Sequence, residues 1–181
     1  MNRIRLATVW LGGCSGCHMS FLDLDEWLIE LAQKVELVYS PLADVKVYPD
    51  GVDIALVEGA IANQDHLEMI RQVRDRTKFL ISFGDCAVTG NVTALRNPLA
   101  QSAQSVLTRA YIEGATIHPQ LPESDLVPPL LSQVMPVHQV VDVDLYLPGC
   151  PPSAERIRSA LEPLLSGTIP QLSGADGIQF G

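Results

Sequence analysis

Four cysteines are the residues of this chain whose type and spacing predict chemistry. Cys14 and Cys17 form a Cys-x-x-Cys pair in a glycine-rich stretch, whereas Cys86 and Cys150 each stand alone. By itself the pair fits an iron–sulfur cluster, a structural zinc ion or a thioredoxin-like dithiol, and together with His18 it also fits a covalently attached haem. The rest of the chain has to select among these four kinds of site.

Apolar runs alternate along the chain with helical patterns. Strands are predicted at residues 4–11, 35–39, 52–57, 78–83 and 141–147, with a further short strand at 45–48. Helices are predicted from Ser20 to Val35, after a cap at Asn63 or Asp65, at 102–111, at 126–134 and after a cap at Ser153, and the tail beyond Gly167 is expected to run along the surface. Alternating strands and helices favour an α/β fold with a mostly parallel sheet.

The predicted topology brings the candidate residues together. The central strands are apolar on both faces, which is typical of a parallel sheet covered by helices on two sides. We expect one domain over residues 1–181, with its working site at the carboxyl ends of the strands. Each cysteine follows a predicted strand, as does Glu58, so we expect the four thiols to converge at one edge.

Composition excludes several partners. The chain has a net charge of -9, a pI near 4.7 and no Lys/Arg cluster, so nucleic acid and anionic membrane surfaces are not expected to bind. Its apolar runs are too short for a transmembrane segment, and no signal sequence precedes the first strand, which predicts a cytoplasmic location. Reducing conditions there argue against disulfide bonds.

The number of cysteines selects the chemistry. A 4Fe-4S cluster needs four thiolates, and this chain has four cysteines. Structural zinc is the nearest competitor, but it usually uses two local cysteine pairs. A dithiol would leave Cys86 and Cys150 unexplained, and a haem would require export; without haem, His18 becomes a polar neighbour of the cluster or a partner contact.

Four motifs in a fixed order carry a resemblance to a known family. The chain resembles the small subunit of NiFe hydrogenases, in particular the short, single-cluster subunit of NAD-coupled bidirectional enzymes. The motifs are Cys14-Ser15-Gly16-Cys17, Val57-Glu58-Gly59-Ala60-Ile61, Gly84-Asp85-Cys86-Ala87 with Gly90, and Pro148-Gly149-Cys150-Pro151-Pro152. Together they span nearly all of the chain.

The resemblance implies a specific assembly. It implies a flavodoxin-like, doubly wound domain in which Cys14, Cys17, Cys86 and Cys150 bind one 4Fe-4S cluster, with Glu58 as a proton relay or an interface hydrogen bond. The NiFe centre would belong to a partner large subunit, and electrons would pass to diaphorase subunits that carry iron–sulfur clusters and flavin and react with NAD. Some relatives are thought to place an FMN near this cluster.

The chain departs from exported relatives in three respects. Gly13 stands where many of them carry an acid, and both their twin-arginine leader and their C-terminal two-cluster extension are missing from this sequence. Two alternatives stay open. One is a quinone-oxidoreductase-type iron–sulfur subunit, which carries adjacent cysteines in place of the Cys14/Cys17 pair, and the other is a stand-alone iron–sulfur redox carrier.

Overall fold

A computed structural model describes residues 3–122, 126–170, 172 and 180 as an α/β fold built on a parallel sheet. The sheet consists of β1 (Ile4–Trp10), β2 (Val35–Tyr39), β3 (Val52–Glu58), β5 (Thr77–Phe83) and β7 (Leu145–Leu147), in the order β2-β1-β3-β5-β7. All four neighbouring pairs are parallel. The order reverses between β1 and β3, as in flavodoxin-like doubly wound sheets, which confirms the predicted fold class.

Helices cover the sheet on both faces. They are α1 (Gly16–Leu22), α2 (Trp27–Lys34), α3 (Gln64–Arg76), α4 (Asp85–Thr89), α5 (Ser102–Thr108) and α6 (Ala154–Leu165). The core cluster on one face joins Leu6 and Leu56 of the sheet to helices α1, α2 and α6. The cluster on the opposite face joins Ala7 and Val57 to α3 and α4, because successive residues of a strand point to opposite faces.

Two predicted helix caps are confirmed. The Asn63 side-chain oxygen accepts a hydrogen bond of 2.8 Å from the backbone N–H of His66 at the start of α3. The Ser153 hydroxyl oxygen accepts one of 3.4 Å from the backbone N–H of Arg156 at the start of α6. Both contacts satisfy an N–H group that would otherwise lack a partner in the first helical turn.

Several predicted elements differ from the structure. The predicted helix at 126–134 is wrong, because Leu130–Met135 forms strand β6, which pairs antiparallel with β4 (Ile61–Asn63). The predicted strand at 45–48 is absent from that described segment, although Tyr48 is buried and its hydroxyl lies 2.6 Å from Thr77 Oγ1. The helical pattern from Ser20 to Val35 is interrupted near Asp25, whose φ is 47°.

The remaining boundaries shift by smaller amounts. The last sheet strand is limited to Leu145–Leu147, and the helix predicted at 102–111 ends at Thr108 before a wider turn at Arg109–Glu113. The tail predicted beyond Gly167 falls largely outside the described residues. Within the part of the chain that is described, no helix is both long enough and apolar enough to cross a bilayer.

Asp53 connects three strands at the amino edge of the sheet. One carboxylate oxygen accepts a hydrogen bond from the Arg5 backbone N–H, and the other from Lys78 Nζ, each at 2.8 Å. Burial alone would raise the pKa of Asp53, but these hydrogen bonds and the two positive charges outweigh it and lower the pKa. Asp53 therefore stabilises the sheet in its ionised form.

Asp53→Asn is expected to destabilise the fold at pH 7 by about 1 kcal/mol, because the ionised hydrogen-bond acceptor is lost. The folded-state pKa lies below the unfolded value of about 3.9, so the stabilisation is present above that pH and is lost as the pH falls through the folded pKa. Urea denaturation of wild type and variant across pH 2–8 should show the difference shrinking in acid. Asp44→Asn, on a fully exposed side chain, is the control, and a pH-independent difference for Asp53→Asn would contradict this account.

Candidate metal centre

Three loops at the carboxyl edge of the sheet carry all four cysteines. Cys14 and Cys17 follow β1, Cys86 lies in the first turn of α4 after β5, and Cys150 follows β7. None of them is in a disulfide; Cys17 and Cys86 are buried, whereas Cys14 and Cys150 are exposed. The site is therefore half inside the fold and half at its surface.

The sulfurs lie close enough to affect one another. A Cβ on Gly84 would stand 2.2 Å from the sulfur of Cys17 and 3.4 Å from the carbonyl oxygen of Gly149, so the three loops meet at this point. Burial raises the pKa of Cys17, and the charges of Glu58 and of the other three cysteines raise it further. Burial also raises the pKa of Cys86, with the thiols of Cys150 and Cys14 as the next contributions.

The chemistry of this donor set fits a metal cluster. Four mutually repelling thiolates in a half-buried site require compensating positive charge, which iron would supply. In residues 3–122, 126–170, 172 and 180, no three His, Cys, Asp or Glu side chains converge tightly enough to hold a single metal ion. A 4Fe-4S cluster needs four thiolates, which is the number of cysteines that the three loops carry.

Backbone hydrogen bonds fix two of the loops against each other. The backbone N–H of Asp85 donates to the carbonyl of Gly149 at 2.9 Å, and the N–H of Gly149 donates to the Asp85 carboxylate at 2.6 Å. One step away, the N–H of Gly84 donates to the carbonyl of Leu147 at 2.8 Å. Cys86 directly follows Asp85, and Cys150 directly follows Gly149. The contact between the two loops therefore sets the separation of these cysteines.

The loop after β1 is held against the loop after β3 by close backbone approach. Gly12 and Ala60 exchange two backbone hydrogen bonds of 2.9 and 2.8 Å. Gly59 has a φ of 92°, and a Cβ there would lie 2.9 Å from backbone atoms of Leu11 and Gly12. Only glycine fits this position, and the contact places Glu58 directly beneath the Cys14/Cys17 loop.

Glu58 is fully buried and is paired with His18. One oxygen of its carboxylate, Oε2, accepts the backbone N–H of His18 at 3.0 Å and lies 2.5 Å from His18 Nδ1. The other ring nitrogen, Nε2, is buried and has no hydrogen-bond partner among the described residues. The sequence predicts Glu58 at this edge and His18 near it, but it does not predict that the two form a pair.

Two exposed sulfurs accept hydrogen bonds from their own chain. The backbone N–H of Gly16 donates to Cys14 Sγ at 3.4 Å, as expected for a glycine-rich loop that aims its amides at sulfur. The side-chain amide Nδ2 of Asn91 donates to Cys150 Sγ at 3.5 Å. Sequence reasoning missed Asn91, and the only available signal is its place directly after Gly90 at the end of α4.

The fold and the site together define a flavodoxin-like domain with a four-cysteine edge suited to an iron–sulfur cluster. A family model described as "NADH ubiquinone oxidoreductase, 20 Kd subunit" matches residues 14–164. The chain belongs to this family.

Relatives within the family are hydrogenase subunits. The chain is 40% identical over 173 residues to a vhu subunit of the F420-non-reducing hydrogenase of Methanococcus voltae, covering 94% of this chain and 59% of that protein. It is 38% identical over 170 residues to the NAD-reducing hydrogenase HoxS subunit delta of Cupriavidus necator, covering 92% and 80% of the two chains. The resemblance to hydrogenase subunits is confirmed, although this chain spans little more than half of the vhu protein.

A solved structure gives the same result for the fold. One chain in the crystal structure of an NAD+-reducing [NiFe]-hydrogenase in the H2-reduced state superposes on this chain with a TM-score of 0.92 and 38% sequence identity. The match covers 99% of this chain and 100% of that one. The strand order and helix placement described for this chain are thus those of a hydrogenase subunit.

Gly84→Ala is expected to disrupt the site by displacing Cys17. Forcing a side chain at a φ of 83° costs about 1–3 kcal/mol, and moving the Cys17 sulfur adds about 1–3 kcal/mol. Urea denaturation should report this loss, and alkylation of the apo-protein, mapped by mass spectrometry, should show a more reactive Cys17. The control is Gly167→Ala, with a φ of 76° and no atom near the added Cβ, which should cost about 1 kcal/mol and leave Cys17 protected. Unchanged Cys17 reactivity in Gly84→Ala would contradict the contact.

Proposed function

We propose that this chain is the electron-transfer small subunit of a cytoplasmic, bidirectional NiFe hydrogenase coupled to NAD. One 4Fe-4S cluster is bound by Cys14, Cys17, Cys86 and Cys150. The observation that carries the proposal is the meeting of three cysteine-bearing loops at the carboxyl edge of the sheet. The hydrogenase relatives then supply the reaction in which such a cluster would serve.

Each residue of the site has a defined task. Buried Cys17 and Cys86 anchor the inner side of the site, while exposed Cys14 and Cys150 reach its outer side. Leu147, Phe83 and the rest of the apolar core below keep water away from the inner thiolates. The bound cluster supplies one-electron transfer at an edge that a partner protein can approach.

Apolar side chains beside the cysteines form a surface suited to the large subunit. Trp10, Met19 and Leu22 are 47%, 59% and 40% exposed, and all three lie on β1 or α1, next to the Cys14/Cys17 loop. Exposed apolar side chains grouped at one edge are typical of a protein interface. A NiFe-bearing partner docked there would place its metal centre near the cluster.

Electrons have to leave the complex through further subunits. We propose a diaphorase module with iron–sulfur and flavin groups that reacts with NAD, because the Cupriavidus relative belongs to an NAD-reducing hydrogenase. The proposal extends to an FMN in the complex, without assigning it to any residue of this chain. Hydrogen itself would react only at the NiFe centre of the partner.

A quinone-linked iron–sulfur subunit is the second candidate, and the description of the matching family model favours it. The hydrogenase role is supported more strongly, because relatives at 40% and 38% identity are hydrogenase subunits. A stand-alone redox carrier is the third. Nickel in the purified complex separates the hydrogenase role from both alternatives.

Changing Cys14, Cys17, Cys86 or Cys150 to Ser is expected to remove the cluster, because a 4Fe-4S core needs four thiolates. The complex should be purified through a tag on this chain, with iron, nickel and flavin counted and the reduced protein examined by EPR. The signal of this cluster should vanish, with a loss of about four iron atoms per complex.

The matched control for these variants is Ser15→Ala, in the same loop between Cys14 and Cys17. This substitution removes no thiol, so the variant should keep the wild-type iron content and EPR signal. If a cysteine variant keeps a normal cluster, the substituted cysteine is not a cluster ligand. A wild-type complex that contains no nickel would contradict the hydrogenase role.

Glu58→Gln is expected to leave the cluster intact and to slow hydrogen turnover by on the order of 100-fold, the scale of a lost proton-transfer group. The amide keeps the shape of the side chain and its hydrogen bond to the His18 backbone, so the fold should persist. Hydrogen-dependent dye reduction measures turnover, and EPR checks the cluster. Glu36→Gln, on exposed strand β2, is the control, and unchanged turnover in Glu58→Gln would leave Glu58 a purely structural role.

A further inference from the structure

We propose that Asn91 is a positioning residue. Its side-chain amide donates a hydrogen bond to the Cys150 thiolate and thereby raises the reduction potential of the cluster. This inference rests on the proposed function, because it takes Cys150 as a cluster ligand. The contact joins Asn91 Nδ2 to Cys150 Sγ at 3.5 Å, across 59 positions of sequence.

The position of Asn91 is fixed by the end of α4. Gly90 closes that helix with a φ of 88°, and its N–H donates to the carbonyl of Cys86 at 3.0 Å. The same short helix therefore carries Cys86 in its first turn and presents Asn91 just beyond its last. One rigid element links a ligand of the site to a hydrogen-bond donor for another ligand.

Local contacts leave little freedom to this turn. The Thr89 hydroxyl donates to the carbonyl of Asp85 at 2.9 Å and accepts the backbone N–H of Asn91 at 3.3 Å. A Cβ on Gly90 would stand 2.9 Å from the Cβ of Ala94, so the chain is tightly packed on the following turn. The backbone of Asn91 is thus held in place before any cluster binds.

Asn91 differs from the other sulfur donor at the site. Cys14 receives the backbone N–H of Gly16, two positions along its own loop, which a side-chain substitution does not remove. Cys150 receives a side-chain donor from a different loop. Among the described residues, the hydrogen bond to Cys150 is therefore the one to a cysteine sulfur that a single side-chain substitution can remove.

The expected effect on the potential follows from charge. Reduction adds a negative charge to the cluster and its thiolates, and a hydrogen-bond donor to sulfur stabilises that charge. Without the Asn91 side chain, the Cys150 sulfur would lose this fixed donor. The Asn91 amide should therefore shift the midpoint potential to a more positive value.

A backbone role for Asn91 has to be separated from this electrostatic one. Its φ is 35°, in the left-handed region where Asn, Asp and Gly are favoured whatever their side chains contact. Asn91→Gly and Asn91→Asp both accept this backbone conformation. The first removes the donor, and the second replaces it by a negatively charged acceptor of the same shape.

The test is a redox titration of the purified complex followed by EPR of the reduced cluster. Asn91→Gly should keep full iron content and shift the midpoint potential to a more negative value, and Asn91→Asp should shift it further in the same direction. Hyperfine spectroscopy before and after exchange into D2O should also detect one fewer exchangeable proton coupling in Asn91→Gly than in the wild type. Gln101→Gly is the control. Gln101 also has an amide side chain and a positive φ, 51°, but it lies outside the cysteine-bearing loops.

An unchanged midpoint potential in Asn91→Gly, with normal iron content, would overturn the inference. Loss of the cluster in that variant would overturn it as well, because Asn91 would then be a structural requirement of the turn. Neither result bears on which cysteines bind the cluster, because the cysteine variants test that question independently. The failure of this inference and the failure of the proposed function are therefore distinguishable.

Discussion

The reciprocal contact between Asp85 and Gly149 is the interaction on which the candidate site depends. It joins the loops after β5 and β7, and each partner precedes a cysteine. A buried carboxylate is costly unless it is hydrogen-bonded, and the Gly149 N–H contributes such a bond at 2.6 Å. Gly149 in turn has to be glycine, because a Cβ there would lie 2.6 Å from Pro152. The spacing of the outer and inner thiols is thus fixed by the folded backbone.

The division between buried and exposed thiols shapes how the site could work. Cys17 and Cys86 are buried, so a fixed environment would hold the inner side of the proposed cluster in place. Cys14 and Cys150 are exposed and would bring the same cluster to the surface, within reach of a partner protein. Glu58 and His18 lie buried below, so a polar pair stands within electrostatic reach of Cys17. One sheet edge therefore combines the four thiols with a buried polar pair.

The sequence predicts the central sheet well because the relevant signals are local. Apolar runs identify β1, β3 and β5, and Asn63 and Ser153 mark the starts of α3 and α6. The positions of the strand ends alone predict that the four cysteines meet at one edge of the sheet. The ribbon of β4 and β6 was not predictable in this way, since it exists through pairing between segments that are distant in sequence. The Asn91 contact with Cys150 and the pairing of His18 with Glu58 also depend on distant partners, which no local pattern encodes.

Different residues control the geometry of the site and its electrostatics. Gly59, Gly84 and Gly149 set the geometry. Backbone atoms lie too close to Gly59 and Gly149 for any side chain there, and the Cys17 sulfur lies too close to Gly84. A substitution at any of these glycines would disturb the fold and the site together. Asn91 lies beyond α4, outside the sheet, and its side-chain amide contacts Cys150. Its proposed effect is therefore on the charge at the site, whereas the glycines determine where the thiols lie.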